Sequence, residues 1–301
     1  MRIAIRRRTP AELLLVAAIC VSATACTEDK TPSSASGTGA QDNAPATGAA
    51  SAAAVDPANP ATWKLPLEAY LPSKTEDDQL RRATNSLNQS CMAKAGFADW
   101  KPAPELPKLG PKTLTDWRYG IHDQELSSKR GYHPDAAEQS AYDEAMQKGA
   151  VSGLSGKAAE TLDSCGSQSK QRIGGGDKTY GELAQRLSSD AGLRAKQQPE
   201  VTAAFKAWSG CMKQSGYSYK EPLDASDDPK FNSKDVTRLE VDTALADLKC
   251  RTSTNVAKIW YDAEVKLQKE AEEKNAPALR AERKELDSYI KNAATALSGA
   301  Q

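Results

Sequence analysis

The sequence predicts a mainly α protein: disulfide-stapled helical domain(s) formed by two related helix-pair repeats, with irregular Pro/Gly-rich connections. Three observations carry that expectation. Apolar residues recur at spacings of three and four through much of the chain after about residue 75, as amphipathic helices require. Cys91, Cys165, Cys211 and Cys250 stand in the part expected to fold, an even number suited to bridges in an exported chain. The stretch from Cys91 to Phe97 reads C-M-A-K-A-G-F and that from Cys211 to Tyr217 reads C-M-K-Q-S-G-Y, so C-M-x-x-x-G-aromatic occurs twice.

Residues 1–25 are read as a lipoprotein signal peptide. Arg2, Arg6, Arg7 and Arg8 form a basic start, Leu13 to Val21 an apolar run, and Ala23-Thr24-Ala25 a small-residue stretch before Cys26. Cys26 is the expected lipidation site. Ile19 is too bulky to precede a cut at Cys20, whereas Ala23 departs from the leucine usual three residues before a lipidated cysteine. A plain secretory signal would share this layout, and the arginines leave both Sec and twin-arginine export open. The apolar run is far short of the roughly 20 residues that span a bilayer. Two acyl chains, at about 0.8 kcal/mol per buried methylene, would hold the mature chain stably on the outer face of the cytoplasmic membrane.

Residues 26–61 are expected to form a lipid-anchored disordered tether. To about Pro60 the chain has almost no Leu, Ile, Phe or aromatic residue, too little apolar area to offset the entropy of ordering it. Residues 62–173 form the first expected repeat region, 174–200 a hinge and connection, and 201–301 the second repeat region with a C-terminal helix hairpin.

In the first region Leu80, Thr84, Leu87 and Cys91 share a helical face, and Gly96 is placed to end that helix in a left-handed turn. Pro102, Pro104, Pro107 and Pro111 then forbid a helix. Arg118-Tyr119-Gly120-Ile121-His122 and Arg130-Gly131-Tyr132-His133-Pro134 suggest a folded loop or short strands, followed by a helix over Asp135 to Lys148. Leu162 and Cys165 close a weaker helical pattern, and Gly174-Gly175-Gly176 reads as the hinge because no Lys-Ser/Thr follows it, as a phosphate loop needs.

In the second region Val201, Ala204, Phe205, Trp208, Cys211 and Met212 form a helical face that stops at Gly216. Leu239, Thr243, Ala246 and Cys250 continue the pattern in a helix expected from Asp235 to Lys274, capped by Ser233 and carrying Leu248, Val256, Trp260 and Leu267. Asn275-Ala276-Pro277 is expected to break it. A last helix then presents Leu279, Leu286, Ile290, Ala293 and Leu297 on one face. The simplest bridges are Cys91 with Cys165 and Cys211 with Cys250, each joining the two helices of its repeat.

Removing the signal takes away four arginines and one glutamate, leaving 36 basic and 39 acidic residues. With no basic block, nucleic-acid binding is unsupported, and membrane association is left to the lipid. G-x-S-x-G and H-E-x-x-H are absent. The two histidines leave few general bases, so no catalytic residue is assigned and no enzyme activity is expected. His122, His133, Asp123 and Asp135 could be recruited by a metal, but nothing fixes a geometry; neither metal nor cofactor is expected. Trp100, Trp117, Trp208, Tyr217 and Tyr219 could line a pocket, although aromatics spaced this way beside cysteines usually belong to a core.

The segment Trp208-Ser209-Gly210-Cys211-Met212-Lys213-Gln214-Ser215-Gly216-Tyr217, the stretch from Thr243 to Cys250, and the R-Y-G-I and R-G-Y-H segments at Arg118 and Arg130 resemble a group of actinobacterial secreted lipoproteins of unassigned function. The resemblance covers most of the chain after about Thr75, with Phe97 in the first copy where the second has Tyr217. It implies a lipid-tethered helical domain working beside envelope transporters or wall-associated, peptidoglycan-binding adaptors, and it carries no catalytic residue or ligand. The expected function is therefore a noncatalytic binding or accessory role in the cell envelope. The alternatives are a small-solute-binding lipoprotein, which needs a cleft between the repeat regions, and a cell-wall hydrolase built on paired carboxylates.

Overall fold

The computed structural model describes residues 56, 58–150, 154–176 and 179–299. Cys26, the signal peptide and most of the expected tether lie outside the described residues. The end of that tether is a correction. Asn59 caps a 3-10 turn, Pro60–Thr62, and Trp63 behind it is buried, its indole N–H donating to the carbonyl of Asp56 at 2.9 Å. One large aromatic side chain supplies the apolar area that the preceding sequence lacks.

A second 3-10 turn, Pro66–Tyr70, leads into nine α-helices among the described residues: α1 Lys74–Lys94, α2 Gln124–Arg130, α3 Ala136–Ala150, α4 Lys157–Arg172, α5 Glu182–Ala195, α6 Pro199–Gln214, α7 Pro222–Ser226, α8 Arg238–Thr254 and α9 Val256–Ser298. No strand occurs among these residues. The glycine and aromatic residues at 118–122 and 131–134, expected as a loop or short strands, form turns on either side of the short helix α2. Asp123 caps that helix by accepting from Leu126 N–H at 2.9 Å, and a carboxylate in that position favours a helix start over a strand.

Local chemistry explains several ends. Ser73 and Glu76 form a capping box at the start of α1. The two C-M-x-x-x-G-aromatic segments end α1 and α6 identically. Phe97 N–H donates to Met92 carbonyl and Tyr217 N–H to Met212 carbonyl, both at 2.9 Å, while Gly96 and Gly216 take φ of +94° and +92°. This 6→1 closure satisfies carbonyls that the helix end would strand. Disulfides join Cys91 to Cys165, between α1 and α4, and Cys211 to Cys250, between α6 and α8.

The chain from Thr237 onward differs from the sequence reading. Thr237, not Ser233, caps α8, and the break falls at Asn255, whose φ of 53° is left-handed. Asn tolerates that region better than most side-chain-bearing residues. Asn275-Ala276-Pro277 does not interrupt α9, which runs through the proline. Buried Leu267 before it and Leu279 after it hold one line, and this packing outweighs the missing N–H. The expected hairpin at Pro277 is therefore replaced by a turn at Asn255. Segment 174–200, read as a hinge, contains α5, whose Ala184, Ala191 and Ala195 are buried. Small residues there allow close approach to α9.

Helix α9 is the spine, packing on α1, α5, α6 and the second 3-10 turn. Its first half enters the main core with Trp63, Tyr119, Phe205, Trp208, Met212 and Trp260. Tyr119 and Phe205 both meet Trp260 edge-on, at 5.3 and 5.1 Å between ring centres, an arrangement suited to the ring quadrupoles. Its second half covers two smaller clusters, Ala83, Leu87, Ile173 and Ala293, and Leu67, Ala184 and Leu279. The described residues belong to one compact unit.

Candidate functional site

The core carries ionisable groups where apolar side chains would be expected. On α8, Glu240, Asp247 and Arg251 follow helical spacing and point inward; on α9, Glu264 and Gln268 are one turn apart. Glu240, Asp247 and Gln268 are 0% exposed, Glu264 1% and Arg251 5%. Leu239, taken from the sequence as part of the buried face, is 52% exposed, because the face rotates by one residue to bury Glu240 in its place.

Each charge is met by one of two glycine turns. Arg118 donates to Glu264 through Nε at 3.0 Å and Nη2 at 2.6 Å, a bidentate contact. Tyr119 Oη adds 2.9 Å to the same carboxylate, and Gln268 Nε2 a further bond at 3.0 Å. Asp247 accepts from Trp208 Nε1 at 2.8 Å and Tyr132 Oη at 3.3 Å and lies 2.7 Å from Arg251 Nε. Arg251 Nη1 reaches the carbonyl of Tyr119, and Nη2 that of Pro222 at 2.7 Å. Glu240 Oε1 accepts from Tyr132 N–H at 2.9 Å and faces His133 Nδ1 at 2.7 Å, while Glu240 Oε2 has no hydrogen-bond partner.

Glycine is required at both turns. At Gly120 (φ +103°) a β-carbon would sit 2.1 Å from the Arg251 guanidinium, and at Gly131 (φ +59°) 2.6 Å from Glu240. The R-Y-G and R-G-Y-H segments thus let backbone approach buried charge.

Electrostatics follow from burial. Burial pushes the Asp247 carboxyl up, against the pull of Arg251, Trp208 and Tyr132. Burial and then the facing carboxylates raise the Tyr119 and Tyr132 hydroxyls well above the ordinary tyrosine value, so both remain donors. Burial lowers the Arg118 guanidinium, but Glu264 more than reverses it. Chemically, the layer sets donors against three buried carboxylates, leaving Glu240 Oε2 unpaired; what it can do is lock two turns to α8 and α9.

The residues considered from sequence are only partly brought together. His122 pairs with Asp116 at 2.7 Å, His133 with Glu240, Asp123 caps α2 and Asp135 accepts from Ala137 N–H at the start of α3. His122, Asp123 and Asp135 line one cavity of about 390 Å³ with Trp117, and His133 is not among its walls. No group of three or more His, Cys, Asp or Glu side chains that could hold a metal occurs among the described residues. The aromatics separate too. Trp208 is core, Tyr219 donates to Asp228 at 2.9 Å, and Trp100 borders a different depression from Trp117. Sequence reasoning missed Glu240, Asp247, Arg251, Glu264 and Gln268; their helical spacing, coupled to two glycine–aromatic turns, was the available signal. No protein-family model, curated protein or solved structure matches the chain.

Proposed function

We propose that this is a lipid-anchored extracytoplasmic protein, held through Cys26 on the outer face of the cytoplasmic membrane, with a noncatalytic binding or accessory role in the cell envelope. The observation that carries the noncatalytic part is the burial of Glu240, Asp247 and Glu264, the carboxylates of α8 and α9 that face the core. Two disulfides fit an oxidising compartment. The matching ends of α1 and α6, each stapled to another helix, support two related helix-pair repeats. An envelope transporter or a wall-associated adaptor is the class of partner.

Crosslinking in living cells, followed by mass spectrometry, tests the proposal on the wild-type chain and on Cys26→Ala. Recurrent recovery of one transporter or wall adaptor, lost or reduced when Cys26 is replaced, is the expected result. Acylation that persists in Cys26→Ala would overturn the anchor. Turnover of wall glycan by the pure chain, abolished by changing one carboxylate, would overturn the noncatalytic role.

A further inference from the structure

We infer that the depression beside Trp100 binds an oligosaccharide of N-acetylated sugars. The depression, of about 500 Å³, is bounded by α1, α4 and the segment from Trp100 onward, and Asn85, Asn88, Trp100, Leu162, Asp163 and Lys170 are among its walls. That volume falls within the ~300–1,000 Å³ of small-ligand pockets. Trp100 is the first observation. Trp63, Trp208 and Trp260 belong to the main core, but half-buried Trp100 belongs to no core cluster. Among the described residues its indole has neither a ring partner nor a hydrogen-bond partner. An indole left in this way offers a broad apolar face and one N–H donor to whatever lies against it.

The polar walls are the second observation. Among the described residues the side chains of Asn85, Asp163 and Lys170 have no hydrogen-bond or ion-pair partner, and Asn88 uses only Oδ1, which accepts from Ser169 Oγ at 2.6 Å. The walls thus present donors and acceptors together, and the balance of Asp163 and Lys170 favours a neutral ligand over an ion. Sugar hydroxyls donate and accept in the same way, and the C–H face of a sugar ring stacks on indole. An acetamido group adds an N–H and a carbonyl that a carboxamide matches in both senses, with a methyl suited to Leu162. Gly166 is the third observation. It lies inside α4 and in the wall, and a β-carbon there would meet no atom within 4 Å. Glycine weakens a helix interior relative to alanine, and no close packing requires it here; it leaves the wall open where a sugar ring would lie. The neighbouring Cys165 is bridged to Cys91, which fixes α4 against α1 and holds both walls in place before a ligand arrives.

This inference goes beyond the proposed accessory role and is independent of the anchor, because failure to bind sugar leaves acylation of Cys26 and recovery of a protein partner untouched. Isothermal titration of the full-length chain, in a detergent without a sugar headgroup, would compare the N-acetylglucosamine tetramer with maltotetraose, which lacks acetamido groups. Saturable binding of the first, at least about tenfold tighter than the second, is expected. Trp100→Ala should weaken it about tenfold or more, and Trp100→Phe about threefold or less. Gly166→Leu should weaken it about tenfold or more while raising the melting temperature, because leucine fills the depression and suits the helix. Absence of saturation, equal binding of maltotetraose, or unchanged affinity in folded Trp100→Ala or Gly166→Leu would overturn the site. Should Trp100→Ala fail to fold, Gly166→Leu decides, and unchanged affinity there counts against the site.

Discussion

At Gly120 the absent side chain matters as much as any that is present. A β-carbon there would displace the Arg251 guanidinium, breaking contacts to Tyr119, Pro222 and Asp247. Gly120→Ala should therefore cost about 3 kcal/mol or more, the scale of uncoupling a buried ion pair. Gly96 has a similar φ of +94° but open space around it, so Gly96→Ala should cost only about 1 kcal/mol. Chemical denaturation of the two variants measures the difference, and equal losses would mean that backbone strain, not Arg251, sets the requirement. Glu76 offers a second test. Burial raises its carboxyl, but Arg283 and Ser73 outweigh this and leave it below the ordinary glutamate value. A lowered folded value contributes stability above the unfolded range, lost as pH falls through the folded value. Glu76→Gln should cost about 1 kcal/mol at pH 7, and its difference from wild type should shrink as pH falls through the lowered folded value. A gap that persists in acid would assign the effect to the capping hydrogen bonds alone.

Among the elements, the ends of α1 and α6 were legible because everything that makes them lies within seven residues: cysteine, glycine and the aromatic that follows. The inward face of α8 was not. Its partners are remote in sequence, Tyr132 lying 108 positions from Glu240 and Tyr119 132 from Arg251. Charged side chains at helical spacing ordinarily indicate a solvated face. The same contest between local rule and packing explains the C-terminal break. Proline is the stronger local breaker, yet Leu267 and Leu279 are buried on either side of Pro277, while Asn255 takes the left-handed turn. Pro277→Ala should accordingly stabilise the protein, by about 1–3 kcal/mol, by restoring a helical N–H. Asn255→Val should destabilise it by about 1–2 kcal/mol, because a β-branched residue resists positive φ. Thermal melts read both signs, and a neutral Pro277→Ala would indicate a helix already interrupted there.

Across the whole molecule, α9 couples regions of unequal strength. Its first half lies in an aromatic-rich core to which α6 and α8 contribute, with Cys211–Cys250 alongside. Its second half covers α1 and α4 through a cluster of only four buried residues, Ala83, Leu87, Ile173 and Ala293, so Cys91–Cys165 carries a larger share there. The bridges have sequence separations of 74 and 39 and enclose no common residue, so their effects should be separable. Loop closure assigns each about 4 kcal/mol, but where that loss appears depends on the packing that remains. Replacing Cys91 and Cys165 together by serine should speed amide exchange in α1, α4 and the stretch of α9 beyond Pro277, while α6, α8 and the first turns of α9 stay protected. The matching Cys211/Cys250 double variant should lower protection across the entire described fold, since it weakens the larger core on which the smaller clusters rest. Hydrogen exchange read by mass spectrometry separates these patterns. Uniform loss in both variants would mean that α9 transmits every opening along its length, and that the fold is one cooperative unit.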